Sequence, residues 1–185
     1  MTNDEIMNKM AEAILGFEAR RDKWGHLAVY KLPANDGGGT YEVAGINDRF
    51  HPKEAAELRG LLLSGQYATA ERRACEIMIS YTDMMKNISD NHGVEFYLRD
   101  CCFNRGPGGA ARILQRALHV NDDGHIGPVT GQALHKFAAD PLGLLTYLRQ
   151  AREDYERHVV GYRANFWDGL VNRWDKALAI ARELA

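Results

Sequence analysis

The chain has 185 residues, 45% of them hydrophobic and 26% charged, with a formal net charge of -2. That is ordinary globular composition, enough for one domain or one bilobed domain, and it argues against disordered and membrane-embedded classes. With no polybasic field on offer, it also argues against nucleic acid or anionic lipid as the main partner.

The first residues, MTNDEIMNKMAEAILGF, carry acids among their apolar positions and do not read as a secretory signal. No run is long enough to insert in a membrane, so synthesis and folding in the cytoplasm are expected. The three cysteines, Cys75, Cys101 and Cys102, are odd in number and form no CxxC pair, which reads as free thiols packed on helices.

In chain order, Ile6, Met10, Ile14 and Phe17 recur at helical spacing within 4–20 and predict a first helix ending near Glu18, with Asn3 or Asp4 as cap. LAVYKLP (27–33) and TYEVAGI (40–46) are β-rich runs flanking the Gly-rich turn ANDGGG (34–39), the pattern of a hairpin. From Pro52 onward the pattern is helical. Ala55, Leu58, Leu61 and Leu62 predict a helix ending at Ser64-Gly65, and Ala70, Ala74, Ile77, Tyr81 and Met84 predict another over about 67–88. Shorter helices are expected near 94–103, 107–119 and 127–138, then longer ones near 141–159 and 168–184. The fold class expected is mainly α, of the α+β kind, bilobed, with one small β-hairpin near the N-terminus. Residues 1–93 would form a lobe with the first helix and hairpin, and residues 94–185 a helical lobe completing one compact unit. An extended polymer would lie in a cleft beside the hairpin.

Glycoside cleavage needs a carboxylic acid to protonate the leaving oxygen and usually a second carboxylate for the water or the sugar. Partial burial beside apolar groups keeps such an acid protonated. Glu18 follows Ile14, Leu15 and Phe17 at the end of an apolar helix face, directly before the hairpin. Asp22, Asp36 and Glu42 stand around the same hairpin. Each also has an ordinary explanation: a helix-end glutamate, a turn aspartate bonding its own backbone, a solvent-facing strand residue. GGGT (37–40) lacks the GK[ST] ending of a phosphate loop, no HExxH zinc pattern exists, and no serine sits in a nucleophile elbow.

The segments FYLRDCCFNRGPGGAARILQRAL (96–118), DGHIGPVTGQAL (123–134) and RQAREDYERHVVGYRANFWDGLVNRW (149–174) carry a further signal. Their steps are Asp100–Asn104–Gly106, Ala111–Leu114–Gln115, Asp123 to Thr130, and Arg152 to Arg173, in order over roughly half the chain. They resemble the glycoside hydrolase family 108 N-acetylmuramidases, the phage-endolysin and secretion-activator enzymes of the lysozyme-like superfamily, with their peptidoglycan-binding region. Leu170-Val171 replaces the Trp of the family's usual G-W step. Towards the N-terminus GFE (16–18) matches the family's F-E-G-G, with Ala19 and Arg20 in place of both glycines. DGGGTYEVAGI (36–46) matches its D-x-G-G-x-T-x-x-G-I with an insertion, and is similar to the hairpin of the chitosanases as well.

The resemblance implies a peptidoglycan-cleaving muramidase with Glu18 as general acid, Asp36 as the second carboxylate and Glu42 in reserve. Asp22, Thr40, Tyr41, Asn104 and Gln115 would bind substrate, with Thr40 positioning a water. It calls for no metal and no organic cofactor. The partner implied is the glycan strand of peptidoglycan, cut by a monomer that reaches the wall from a bacterial or phage-infected cytoplasm through a holin or other release partner. Two other readings remain open: a chitosanase-like hydrolase, and a non-catalytic peptidoglycan-binding protein on a degenerate muramidase fold, suggested by the E-A-R-R step. Arg20 and Arg21 oppose a cationic chitosan and suit the lactyl and peptide carboxylates of peptidoglycan. Tyr155, Phe166, Trp167 and Trp174 read as core aromatics, with one or two expected at the cleft.

Overall fold

The first helix begins one residue earlier than its apolar period requires, because Thr2 caps it. The Glu5 N–H donates to Thr2 Oγ1 (3.3 Å), and the Thr2 N–H donates back to Glu5 Oε2 (2.7 Å). This is the reciprocal box that a T-x-x-E sequence permits and that a cap at Asn3 or Asp4 would forgo. The helix, α1, runs Asn3–Glu18 and buries Ile6, Met10, Ala11, Ile14 and Leu15. The computed structural model describes residues 1–33 and 39–185.

Among the described residues the protein is mainly helical, with seven α-helices and one small three-stranded antiparallel sheet of order β1-β2-β3. The strands are β1 (Val29–Lys31), β2 (Tyr41–Val43) and β3 (Ile46–Asn47). The expected hairpin is therefore the first half of a meander. TYEVAGI does not run on as one strand, because Ala44 and Gly45 both take positive φ (51° and 76°). They form the two-residue turn across which Val43 pairs with Ile46. The alanine gives no hint of this in the sequence. The register Val29↔Val43 and Tyr30↔Glu42, then Glu42↔Asn47 and Val43↔Ile46, sorts the two faces. Val43 and Ile46 are buried on one face, while Tyr30, Glu42 and Asn47 share the other. Helix α2 (Pro52–Leu63) packs on β2 and β3 and buries Ala55, Leu58 and Leu62.

Helix α3 (Tyr67–Tyr81) stops short of the expected residue 88, and a 3-10 turn follows at Asp83–Met85. Thr82 at the break is buried, its hydroxyl accepting from Arg99 Nη1 (3.0 Å). The chain divides into two compact units, Met1–Ser80 and Tyr81–Ala185. In the second, the stretch His92–Ala117 (α4) is broken at Gly106 (φ 72°, ψ 170°), just before Pro107, into the two helices expected there. Helix α5 spans Pro128–His135, α6 spans Pro141–Tyr155, a π-helical turn covers Glu156–Gly161, and α7 runs Ala164–Leu184. Helices α4, α6 and α7 pack on one another and make this unit's core.

Two features hold that core. Gly93, in the first turn of α4, lies so close to α7 that a Cβ there would overlap the Ala181 carbonyl oxygen. At its centre, fully buried Asp100 accepts from Arg152 Nη1 (2.6 Å) and Arg173 Nη2 (2.8 Å). Burial alone would push the Asp100 pKa up, but the two guanidiniums outweigh it and hold the carboxyl below its ordinary value. All three cysteines are free thiols. Desolvation raises Cys75 and Cys101 to about 11 and Cys102 to about 12.

Gly93→Ala should lower the free energy of unfolding by about 1–3 kcal/mol, the usual cost of overpacking, measured by urea denaturation. Asp100→Asn leaves two arginines without their buried anion and should cost about 3–5 kcal/mol. Because the folded pKa of Asp100 is depressed, its contribution is present above the unfolded value of about 3.9 and is lost as pH falls through the folded value. The acid limb of the wild-type stability profile, below about pH 4, should therefore flatten in Asp100→Asn.

Candidate active site

Glu18 is the last residue of α1 and is half-buried. Beyond it the chain does not turn left-handed, as a glycine pair would permit. Ala19 is extended (φ −68°, ψ 118°) and Arg20 has no positive φ. The extended path lets residues 20–28 fold back as a narrow loop. The Ala28 N–H donates to the Arg20 carbonyl (2.9 Å), the Asp22 N–H to that of His26 (2.9 Å), and Arg21 pairs with Leu27 as an isolated bridge. The end of α1 is thus fastened to the residue that precedes β1, and replacing both glycines by Ala19 and Arg20 costs no backbone strain.

Asp22 builds this loop. Its Oδ1 accepts the N–H groups of Trp24 and His26, each at 2.9 Å, and its Oδ2 lies 3.4 Å from His26 Nδ1. Desolvation works to raise its pKa, yet those amides and the imidazole prevail and hold the carboxyl below its ordinary value. The His26 ring stacks flat on Tyr67 of α3 (centroids 3.7 Å, 3° apart), which fixes the loop's far side.

Arg20 and Arg21 point to different tasks. Arg21 Nη1 donates to the Gly25 carbonyl (2.7 Å) and to Glu71 Oε1 (2.5 Å), so it braces the loop against α3. Arg20 lays its guanidinium on the Tyr30 ring, 3.5 Å from the centroid, an arrangement worth about 0.5–1 kcal/mol at an exposed site. Its Nε is 3.9 Å from Glu42 Oε1. Tyr30 and Glu42 are directly opposite across β1 and β2, so Arg20 covers the polar face of the sheet.

Thr40 and Tyr41 open β2. The Thr40 hydroxyl donates to Asp48 Oδ2 (2.5 Å), and the N–H groups of Thr40 and Tyr41 donate to Asp48 Oδ1 (2.8 and 3.3 Å). The Thr40 hydroxyl bond is the largest influence holding the Asp48 carboxyl below its ordinary pKa. Gly39 (φ 132°) leaves room for this closure, since a Cβ there would come within 2.6 Å of Asn47 Oδ1 and 2.9 Å of Asp48 Oδ1. Tyr41 carries Arg59 of α2 over its ring (5.1 Å). Asp36 lies outside the described residues. Asp48 organises the open end of the sheet; its signal in the sequence is a hydroxyl at the start of one strand paired with an aspartate just after the meander.

Asn104 and Gln115 belong to the other unit. Gln115 is buried, and its carboxamide donates to Asp123 Oδ1 (2.7 Å), the His125 carbonyl (3.0 Å) and Thr130 Oγ1 (3.3 Å) while accepting the Gly124 N–H (2.8 Å). It fastens the D-G-H-I-G-P turn to α4. Asn104 Oδ1 lies 3.5 Å from Arg152 Nη2, at the edge of the buried Asp100 group. Asp100, Asn104, Arg152 and Arg173, drawn from motifs far apart in sequence, meet in the interior of this unit. Of the aromatic residues, Trp174 is fully buried, Trp167 packs edge-on against it (5.6 Å) and Phe166 is exposed. Among the described residues no group of three or more His, Cys, Asp or Glu side chains is placed to hold a metal ion, and no helix is long and apolar enough to cross a membrane.

The fold has a known counterpart. The solved structure of SagA from Brucella abortus matches with a TM-score of 0.68 over 98% of this chain and 96% of that one, at 19% sequence identity. Likeness at that identity establishes a shared fold. No protein-family model matches the chain, and no curated protein does.

Asp48→Ala should leave the Thr40 and Tyr41 amides without their acceptor and loosen the sheet's open end. The expected outcome is a lower thermal midpoint with the helical circular dichroism retained, while Thr40→Ser, which keeps the hydroxyl, stays close to wild type.

Proposed function

We propose that the protein is a lysozyme-like glycoside hydrolase that cleaves the glycan of peptidoglycan, with Glu18 as its general acid. The observation that carries this is the placement of Glu18: a half-buried carboxyl at the end of a packed helix, one backbone hydrogen bond away from a sheet whose polar face presents Glu42. The ordered resemblance of the Asp100 to Arg173 motifs to the family 108 muramidases supports the same reading, as does the fold shared with SagA.

In this mechanism the Glu18 carboxyl gives its proton to the glycosidic oxygen as the bond from that oxygen to the anomeric carbon breaks. A second carboxylate, Asp36 or in its place Glu42, takes a proton from the water that attacks the anomeric carbon. Attack from the opposite face inverts the centre, and a shorter gap between the carboxyls would bring a covalent, retaining route instead. The wall substrate would be reached from the cytoplasm with the help of a separate release partner, and a single copy of the chain contains all the groups the reaction uses.

The placement of Arg20 favours peptidoglycan over chitosan. A guanidinium two residues from the acid repels the ammonium groups of chitosan and attracts the stem-peptide carboxylates of peptidoglycan. Purified protein incubated with sacculi should release new reducing ends, with little release from chitosan. Glu18→Gln keeps the shape of the side chain and should reduce the rate about 10²–10⁴-fold while leaving the thermal midpoint close to wild type. Release from chitosan alone would move the assignment to a chitosanase. Binding to sacculi without any release would mark a wall-binding protein on a degenerate fold.

A further inference from the structure

We infer that Arg20 is a specificity-determining residue that binds a substrate carboxylate beside the candidate acid; this rests on the glycan-cleaving reading of the same site. Three observations carry it. The guanidinium is held rather than loose, its plane resting on Tyr30 at 3.5 Å. It remains reachable, with 57% of the side chain exposed to solvent. Its donors are only loosely engaged: Nε forms a long ion pair with Glu42 (3.9 Å), and among the described residues the side chain donates no hydrogen bond. Arg21 makes the contrast, because its Nη1 is spent on Gly25 and Glu71.

An arginine fixed on an aromatic face with its N–H edge open matches a planar anion that accepts two parallel hydrogen bonds, and a carboxylate is such an anion. Glu42 opposite sets the sense of the selection. A neutral or cationic sugar leaves the arginine with only its distant partner, whereas an incoming carboxylate takes the open edge. Lysine at this position would keep the charge and lose the two-point geometry. Glycine, which the resembling family carries at this step, offers neither. The ligand class is therefore a glycan strand bearing a carboxylate close to the scissile sugar, which in intact sacculi is a stem-peptide carboxylate, since the lactyl carboxyl there is already held in the amide bond to the peptide.

The test compares purified sacculi with sacculi whose carboxyls have been converted to amides, using the full chain and reading both co-sedimentation and initial rates. The wild type should show an apparent KM about tenfold lower on native than on amidated sacculi, the size expected of one charge-assisted contact at a half-exposed site. In Arg20→Gln that ratio should collapse to about one through KM, Arg20→Lys should recover part of it, and Arg21→Gln should keep it. An equal native-to-amidated ratio in the wild type and Arg20→Gln would overturn the assignment. If neither substrate is cleaved, the hydrolase reading fails separately. An Arg20-dependent preference in co-sedimentation would then still uphold the carboxylate site, and its absence would sink it.

Discussion

The hydrogen bond from the Ala28 N–H to the Arg20 carbonyl joins the end of α1 to the start of β1, and the chemistry available in the amino-terminal unit depends on that junction. Without it Glu18 would be a glutamate at a fraying helix end. With it, the carboxyl ends a packed helix whose following residues are tied by backbone hydrogen bonds to the residue just before β1. Helices usually leave such a junction through a left-handed residue, most often glycine. Here the extended Ala19 does the work, and because no glycine is needed, the following position can carry a side chain. Arg20 occupies it.

The two units solve opposite problems. In the first, the polar residues that matter are half-exposed and arranged by turns: Asp22 gathers two amides and a histidine, and Asp48 gathers two amides and a hydroxyl. Each is a carboxylate shaping a loop. In the second, the polar residues are internal. Asp100 with Arg152 and Arg173, Glu95 with Arg99 (2.8 Å), and Glu156 with Arg105 (2.6 Å) satisfy one another inside a helical core. Buried pairs of this kind add little net stability but penalise any other packing heavily, since breaking one strands a charge in an apolar interior. Of the motif residues in the carboxy-terminal half, Asp100, Gln115, Arg152 and Arg173 thus act within the unit as framework.

The helices were legible from the spacing of their apolar residues, and most of their ends from Pro and Gly. Two features escaped. The third strand depends on Ala44 at positive φ, where nothing in an alanine announces a turn, and the cap at Thr2 rests on a partner three residues away. At the site, the position of Glu18 could be read from the run of apolar residues before it, while Arg20 and Arg21 are indistinguishable as letters and separate only through the partners that the loop brings to each. Gln115 shows the reverse limit: an amide within a recurring motif suggests a ligand contact equally well whether it faces solvent or, as here, is buried with both polar atoms engaged. Asp36 lies outside the described residues, so its part in the reaction rests on the resemblance alone.

The central claim is that Glu18 acts as the acid of a hydrolytic cleavage. It is tested most directly by digesting sacculi in heavy-oxygen water and analysing the released sugars by mass spectrometry. The account predicts one heavy oxygen at each new reducing end, formed by the wild type and lost in Glu18→Gln. Products that carry no heavy oxygen, or heavy-oxygen reducing ends formed equally by Glu18→Gln, would contradict it.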